Sequence, residues 1–152
     1  MGKEHRITAG AIIIKDGKIL LVRYDDNHGG SYLAGPGGAI HYDDETLLQA
    51  LIREVKEETG LEVNPHKLLF VEDLLPHHFR MVKIWFLCDV VGGRLERTQG
   101  AVDEGITEAG WYIRDELESE TVYPPPVLEE DWESFFADNW KAKYLELREA
   151  DF

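Results

Sequence analysis

The sequence predicts an α/β fold, and three features of the chain support this prediction. Residues 7–14 and 18–23 are apolar runs rich in β-branched side chains, which is typical of strands. Residues 44–59 instead carry apolar side chains at three- and four-residue steps, which favours an amphipathic helix. Strand-like runs return at residues 67–72 and 81–91. We therefore expect a sheet with at least one helix packed against it.

Size and composition predict one globular domain over residues 1–152. The length of 152 residues suits one domain, and 43% apolar with 30% charged residues is ordinary for globular proteins. The formal net charge of −14 argues against nucleic acid as a partner, because this surface repels phosphate backbones. Neither a membrane span nor a signal peptide is visible, so we expect no membrane partner and a cytoplasmic protein.

The first two strands are predicted to form a β-hairpin, because Asp16-Gly17 between them is a typical two-residue turn. A polar, glycine-rich loop follows at residues 25–30, and glycines continue through residues 35–38. There the backbone must bend sharply or approach another group closely.

Both ends of the central helix carry signals. Asp43 and Asp44 are N-cap candidates, and Gly60 stands where a left-handed C-cap is expected. A further strand is predicted around residues 111–113. The single cysteine, Cys88, lies in an apolar run and is expected to be a small core residue.

The last part of the chain predicts a C-terminal helix. Residues 124–126 are three prolines, which favour a stiff extended spacer. Aromatic and leucine side chains then keep helical spacing, which predicts an amphipathic helix over about residues 127–149. Its apolar stripe would pack on the body of the domain or on a second subunit, so the chain is a candidate homodimer.

Three glutamates fall within one turn of the central helix. Glu54, Glu57 and Glu58 lie at three- and four-residue steps, where like charges repel one another. One explanation is that all three are solvated or paired with Arg53 and Lys56. The other is a hard divalent cation, because Mg²⁺ takes oxygen ligands and bridges to substrate phosphates.

Together these residues resemble the signature of the Nudix hydrolase family, which is Gly, five residues, Glu, seven residues, then Arg-Glu-apolar-x-Glu-Glu-x-Gly-apolar. Residues 53–61 match the second half in full, and Glu45 has the required spacing before Arg53. The family's glycine falls on Ala39, with Gly38 one residue upstream. A one-residue insertion would explain this departure.

The resemblance covers about residues 5–120 and implies a Nudix-like α/β/α sandwich built on a mixed β-sheet, here with the additional C-terminal helix. It implies a pyrophosphohydrolase that cleaves the diphosphate linkage of a nucleoside diphosphate derivative with a metal-activated water. The substrate would be a small nucleotide: a nucleoside triphosphate, ADP-ribose, a nucleotide sugar or a dinucleotide polyphosphate.

The resemblance also implies a ligand set for Mg²⁺ or Mn²⁺. Glu54, Glu57 and Glu58 would hold the metal, with Glu54 and Glu58 as direct ligands. In the family the glycine carbonyl is often a further ligand, and here the backbone of Gly38 or Ala39 could supply it.

Catalytic roles carried over from the family fall on the same helix and on one loop. Arg53 would orient a glutamate, together with Glu45, since its fork of donors suits a carboxylate. The general base would be Glu54, Glu104 or Glu108. We favour Glu104, which precedes a glycine in a flexible stretch and is also a candidate metal ligand.

Candidates for substrate binding are less specific. Tyr32, Tyr123, Trp85 and Trp111 have flat faces that suit a nucleobase, and packing in the core is the alternative for Trp85 and Trp111. Arg23 and Arg80 would meet substrate phosphates, or equally be exposed strand residues.

Two other functions compete with hydrolysis of a small nucleotide. A non-catalytic nucleotide-binding sensor with a Nudix-like fold has less need of the full glutamate set. An enzyme acting on capped RNA or highly phosphorylated inositol would want a basic surface, which this chain lacks.

Overall fold

The computed structural model describes Gly2 and residues 4–150, so the predicted domain limits at residues 1 and 152 lie outside the described part. Within it, ten strands form one sheet. They are β1 (Glu4–Lys15), β2 (Lys18–Asp25), β3 (Ser31–Ala34), β4 (Gly37–Ala39), β5 (Leu61–Leu75), β6 (Phe79–Gly93), β7 (Ile106–Tyr112), β8 (Val122–Tyr123), β9 (Lys143–Tyr144) and β10 (Arg148–Glu149). The helices are α1 (Leu47–Thr59), α2 (Gln99–Asp103) and α3 (Pro126–Glu129), with 3-10 turns at Arg114–Leu117 and Trp132–Phe136.

The sheet is mixed, as predicted. Its main path runs β10-β5-β6-β1-β2-β3-β8, while β4 pairs with β1, β7 with β2 and β9 with β5. β1 runs parallel to β6 and antiparallel to β2 and β4. The predicted hairpin between β1 and β2 is present, and Asp16 and Gly17 both have the positive φ that its two-residue turn requires. The predicted α/β class is therefore confirmed.

Alternate residues of β1 serve two different cores, because successive strand side chains point to opposite faces. Ala11 and Ile13 pack with Leu51 and Val55 of α1 on one face of the sheet. Ile12 packs with Trp85 in the core on the other face. The first of these cores holds α1 against β1, and backbone pairing places the glycine strand β4 next to β1 as well.

The C-terminal end of α1 agrees with the prediction, whereas its N-terminal end differs. The N-cap is Thr46, whose hydroxyl accepts from the Gln49 amide while the Gln49 side chain accepts from the Thr46 amide. This capping box starts α1 at Leu47, so Asp43 and Asp44 precede the helix and do not cap it. Gly60 is the predicted C-cap, with a left-handed φ of 82°.

The predicted C-terminal helix over about residues 127–149 is wrong. The segment contains one turn of helix, one 3-10 turn and two short strands that pair with β5. Lys67 of β5 donates to the carbonyl oxygens of Phe135 and Ala137, which a helix would need for its own hydrogen bonds. Packing on the sheet thus overrides the helical spacing of the aromatic side chains.

The three prolines also do not form the extended spacer that we predicted. The Tyr123-Pro124 bond is cis, Pro125 has helical backbone angles and Pro126 is the first residue of α3. Proline suits this first helical turn because its missing N–H would have no intrahelical partner there. The prolines therefore form a tight entry into a helical turn.

None of the helices in the described residues is long and apolar enough to span a membrane.

Candidate active site

Helix α1 turns two of its three glutamates inward. Glu54 and Glu58, one turn apart, are buried with 2% and 1% of their surface exposed. The side chain of Glu57 is half-exposed and pairs with Arg53. Residues at i and i+4 share a helix face, so Glu54 and Glu58 lie together. Glu57 remains partly exposed to solvent.

The short glycine strand β4 lies directly against these two carboxylates. The Gly37 amide donates to Glu58 Oε2 at 3.1 Å. A Cβ atom on Gly38 would stand 2.5 Å from the Glu54 carboxyl carbon, so a side chain at this position would force the carboxylate to move. The sequence predicted that these glycines approach another group closely. In the structure, their backbone contacts the carboxylates of Glu54 and Glu58.

Arg53 ties the helix to the loop that precedes it. Its Nε and Nη2 donate to the two oxygens of Glu45 at 2.7 and 2.9 Å, the bidentate grip that its fork of donors favours. Its Nη1 reaches Glu54 Oε1 at 2.9 Å and Glu57 Oε2 at 3.2 Å. The hydrogen bonds from Arg53 hold the pKa of Glu45 at about 2. Glu45 therefore fixes the Arg53 guanidinium, and Arg53 in turn holds the Glu54 carboxylate.

The Ala39 carbonyl oxygen accepts from Arg53 Nη2 at 3.3 Å. The two backbone candidates from the sequence are therefore distinguished by their surroundings. Ala39 is held by the arginine, whereas Gly38 lies against the Glu54 carboxylate.

Burial makes both inward carboxylates hard to ionise without a cation. Loss of water raises the pKa of Glu54, and it raises the pKa of Glu58 to about 8, with the Glu54 charge adding to the effect. A divalent ion would reverse this, since it offers the ionised oxygens the positive charge that burial has removed.

The donor set fits such an ion. Two buried carboxylates and an adjacent glycine backbone offer hard oxygen ligands, which Mg²⁺ and Mn²⁺ accept. No group of three His, Cys, Asp or Glu side chains converges as a metal centre among Gly2 and residues 4–150. Mg²⁺ does not require a complete protein cage, because it usually keeps several waters and binds substrate phosphates.

Helix α2 places Glu104, the candidate general base, within electrostatic range of Glu58. Thr98, its N-cap, donates its hydroxyl to the Glu57 carbonyl, and a Cβ on Gly100 would meet the same carbonyl at 2.4 Å. Glu104 ends α2, and its charge contributes to the raised pKa of Glu58. Glu108 is bound differently, because the Tyr112 hydroxyl donates to it at 3.0 Å and Arg23 pairs with it at 3.4 Å.

A cavity of about 290 Å³ is lined in part by Tyr24 and Lys83, both of which lie within electrostatic range of Glu54 and Glu58. Glu104, Tyr32 and Tyr123 all line it, so the structure brings three of the predicted site residues to one space. Tyr32 stacks on Tyr24 at 5.3 Å between ring centroids and meets Tyr123 edge-on at 5.5 Å. These rings form an aromatic wall.

The two predicted phosphate-binding arginines are not among the residues that line this cavity. Arg23 makes a two-bond contact with Glu120 at 2.9 and 3.1 Å. Arg80 pairs with Asp73 at 2.8 Å and donates to the Leu74 carbonyl at 2.7 Å. The guanidinium groups of Arg23 and Arg80 are therefore each paired with a carboxylate outside the cavity.

Other residues at the site were not anticipated from the sequence. His41 lies 3.6 Å from Glu54, at the entrance to the carboxylate pair. Lys83, Glu72 and Arg148 line the cavity, and they come from three different strands. Arg148 could not have been found from local pattern, because the segment that contains it was predicted to be helical. Lys83 did carry a signal, since it is a single charge inside the apolar run of residues 81–88.

The fold and the paired carboxylates define an α/β domain with a candidate divalent-metal site. The family profile described as NUDIX domain matches residues 4–135, so the chain belongs to the Nudix family, as its signature predicted.

Relatives at the sequence level carry pyrophosphatase and phosphatase names. An ADP-ribose pyrophosphatase of Methanocaldococcus jannaschii is 38% identical over 92 residues, covering 59% of this chain and 54% of that protein. The human 8-oxo-dGDP phosphatase NUDT18 is 44% identical over 73 residues, covering 48% of this chain and 21% of that protein. The match thus spans about half of the first relative and about a fifth of the second.

Solved structures share the fold over most of the chain. A NUDIX hydrolase from Nitrosomonas europaea aligns with a TM-score of 0.68 and 27% identity, over 83% of this chain and 85% of that one. The MutT NUDIX hydrolase from Burkholderia pseudomallei aligns with a TM-score of 0.68 and 25% identity, over 83% and 96% of the two chains.

Proposed function

We propose that this chain is a divalent-metal-dependent pyrophosphohydrolase that cleaves the diphosphate linkage of a nucleoside diphosphate derivative. The observation that carries the proposal is the burial of Glu54 and Glu58 side by side against Gly37 and Gly38. Two buried acids in contact with backbone have no structural purpose that an apolar pair would not serve better, because burying charge is costly.

The proposed metal ligands are the side chains of Glu54 and Glu58 and the carbonyl of Gly38, for Mg²⁺ or Mn²⁺. Glu57 and Glu104 are proposed as further ligands, supported by their electrostatic effect on Glu54 and Glu58 respectively. When bound, the metal would activate water and neutralise charge on the leaving phosphate.

The remaining roles belong to the chain's own side chains. Arg53 is a positioning residue: Glu45 fixes its guanidinium, and its Nη1 sets the orientation of Glu54. We assign the general base to Glu104, which is exposed at the end of α2 and can both take up a proton and release it to solvent.

The aromatic wall is the proposed platform for the nucleobase. Tyr32 and Tyr123 both line the cavity, and aromatic rings are suited to stack on a base. Arg23 and Arg80 are not carried into the proposal, because acidic partners already occupy their guanidinium groups.

The relatives suggest which substrates to try first. Their names point to ADP-ribose and to the 8-oxo forms of dGDP and dGTP. Nucleotide sugars and dinucleotide polyphosphates complete the set that the family resemblance implied. Action in the cytoplasm and assembly as a homodimer stay predictions.

The test is a hydrolysis screen across these compounds with and without Mg²⁺, comparing wild type with Glu54→Gln and Glu58→Gln. Each variant is expected to lower kcat by at least about a hundredfold, as loss of a metal ligand does. Glu62→Gln is the matched control, because Glu62 is exposed just beyond the helix and pairs with Lys56.

Thermal unfolding gives a second readout. Mg²⁺ should raise the Tm of wild type and raise that of Glu58→Gln less, since binding to the native state alone is stabilising. Wild-type rates in both inward variants would overturn the site. Nucleotide binding without hydrolysis by wild type would indicate the sensor function instead.

A further inference from the structure

Lys83 occupies a position where an apolar side chain is expected. It lies on β6 with Met81 and Trp85 on the same face of the strand, since side chains alternate. Trp85 is 1% exposed and belongs to the core of that face. Lys83 is partly buried between Thr8 of β1 and Glu72 of β5, its direct neighbours across the sheet.

The cross-strand acid next to Lys83 is already satisfied by other groups. Glu72 is 2% exposed. Its Oε1 accepts from Trp85 Nε1 at 2.8 Å, and its Oε2 accepts from Arg148 Nη2 at 2.9 Å. Both carboxylate oxygens therefore have a donor that is not Lys83.

Within the described residues, the ammonium group of Lys83 has neither a hydrogen bond nor an ion pair. Its close contact is with the face of the Trp85 ring, 4.4 Å from the centroid. The side chain lines the cavity that Glu104, Tyr32 and Tyr123 also line. An ammonium group has three donors, and a partly buried one that lacks an acceptor is costly.

The charge pattern of the cavity indicates what this group can bind. The acids near Lys83 are Glu72, whose oxygens already have donors, and Glu58 and Glu54, which lie within electrostatic range and belong to the proposed metal site. Lys83 therefore shares a cavity with the aromatic wall and lies within electrostatic range of the glutamates proposed to hold the metal. A ligand with a base on that wall and phosphate at the metal would place phosphate oxygens in this space.

We propose that Lys83 is a substrate-binding residue whose ammonium group donates to a phosphate oxygen of the nucleotide. This inference rests on the proposed function and adds a contact that does not involve the metal. Lysine suits it because a compact ammonium group binds a phosphate as a point charge. The Trp85 ring, 4.4 Å from the ammonium nitrogen, adds a cation–π contact to the same group.

The test measures binding of methylenediphosphonate, a pyrophosphate analogue that cannot be hydrolysed and carries no base. Isothermal titration calorimetry would compare wild type with Lys83→Met and Lys83→Arg in the presence of Mg²⁺. Lys83→Met should weaken binding by about ten- to a hundredfold, as loss of one charge-assisted hydrogen bond does. Lys83→Arg should retain part of the affinity, because it keeps the charge.

The control is Lys18→Met, the same substitution at an exposed residue at the start of β2. It should bind as wild type does. Equal affinity of wild type and Lys83→Met would overturn the inference, even if Lys83→Met lowered the Tm, since Lys83 would then only stabilise the fold. Absence of analogue binding by wild type would also overturn it. Failure of the proposed function is seen separately, as absence of hydrolysis in the substrate screen.

Discussion

At the scale of single residues, the site depends on a glycine whose missing side chain leaves room for a carboxylate. Gly38 lies so close to Glu54 that a methyl group would stand 2.5 Å from the carboxyl carbon. The obstructing atoms belong to the far end of a flexible side chain, so the carboxylate rather than the backbone would move. Such a change should affect the chemistry more than the fold.

Gly38→Ala is therefore expected to lower metal-dependent kcat at least about tenfold by displacing Glu54, with a small change in Tm. Steady-state kinetics and thermal unfolding measure the two effects. Gly110→Ala is the control, because a Cβ there makes ordinary contact at 3.5 Å with the Tyr112 ring. A Gly38→Ala enzyme with normal kcat and normal Mg²⁺ dependence would argue against a role for Glu54 at this position.

Other residues follow their sequence-based predictions. Cys88 is buried, and burial raises the pKa of its thiol to about 12, which agrees with the core role expected of it. Spacing alone leaves open which two of the three glutamates face the sheet, whereas the family resemblance already singled out Glu54 and Glu58, and these are the two that are buried.

At the scale of elements, α1 holds the site because its two ends are fixed by different means. Its C-terminus ends at Gly60, a residue that tolerates the left-handed backbone, as predicted. Its N-terminus begins after Thr46, where a capping box satisfies two amides. The sequence offered Asp43 and Asp44 as equally good acceptors, and the chain path into the helix excluded them.

The identity of this cap can be tested by stability. Thr46→Ala should lower the free energy of unfolding by about 1 kcal/mol, because the Gln49 amide loses its acceptor. Asp44→Ala should change it by less than about 0.5 kcal/mol, as an exposed residue outside the helix does. Urea denaturation followed by circular dichroism compares them. The reverse order of the two effects would show that Asp44 is the cap.

At the scale of the whole molecule, the C-terminal segment is part of the core and not an appended helix. Phe135 is fully buried and meets Phe70 and Trp140 edge-on, at 5.7 and 5.2 Å between ring centroids. The segment ends in β10, which pairs with β5 and brings Arg148 to Glu72. The cavity wall thus depends on residues far apart in sequence.

The difference between two neighbouring phenylalanines tests this arrangement. Phe135→Ala should destabilise the protein by about 3–5 kcal/mol, because it leaves a cavity in the core. Phe136 is 43% exposed, so Phe136→Ala should cost much less. Chemical denaturation of both variants gives the comparison. Similar costs for the two would instead fit a stripe on which both rings pack, as the predicted helix required.

The sequence by itself determined the hairpin, the central helix with its Gly60 end, and the family, because each rests on residues close together in the chain. Turn chemistry, helical spacing and a contiguous signature are all local, and local patterns can be recognised without knowing the fold. The three glutamates and Arg53 could likewise be recognised from the sequence, because they belong to the same contiguous signature.

Only the tertiary structure decided that Arg23 and Arg80 are engaged elsewhere, and that the last segment folds as strands and turns. It alone placed Lys83 beside an acid already satisfied by Trp85 and Arg148. The physical reason is that these outcomes depend on competition between partners distant in sequence. One example is Lys67, which donates to the carbonyl oxygens of Phe135 and Ala137 that the predicted helix would have used for its own hydrogen bonds. The local sequence around residues 135–137 gives no sign of this contact.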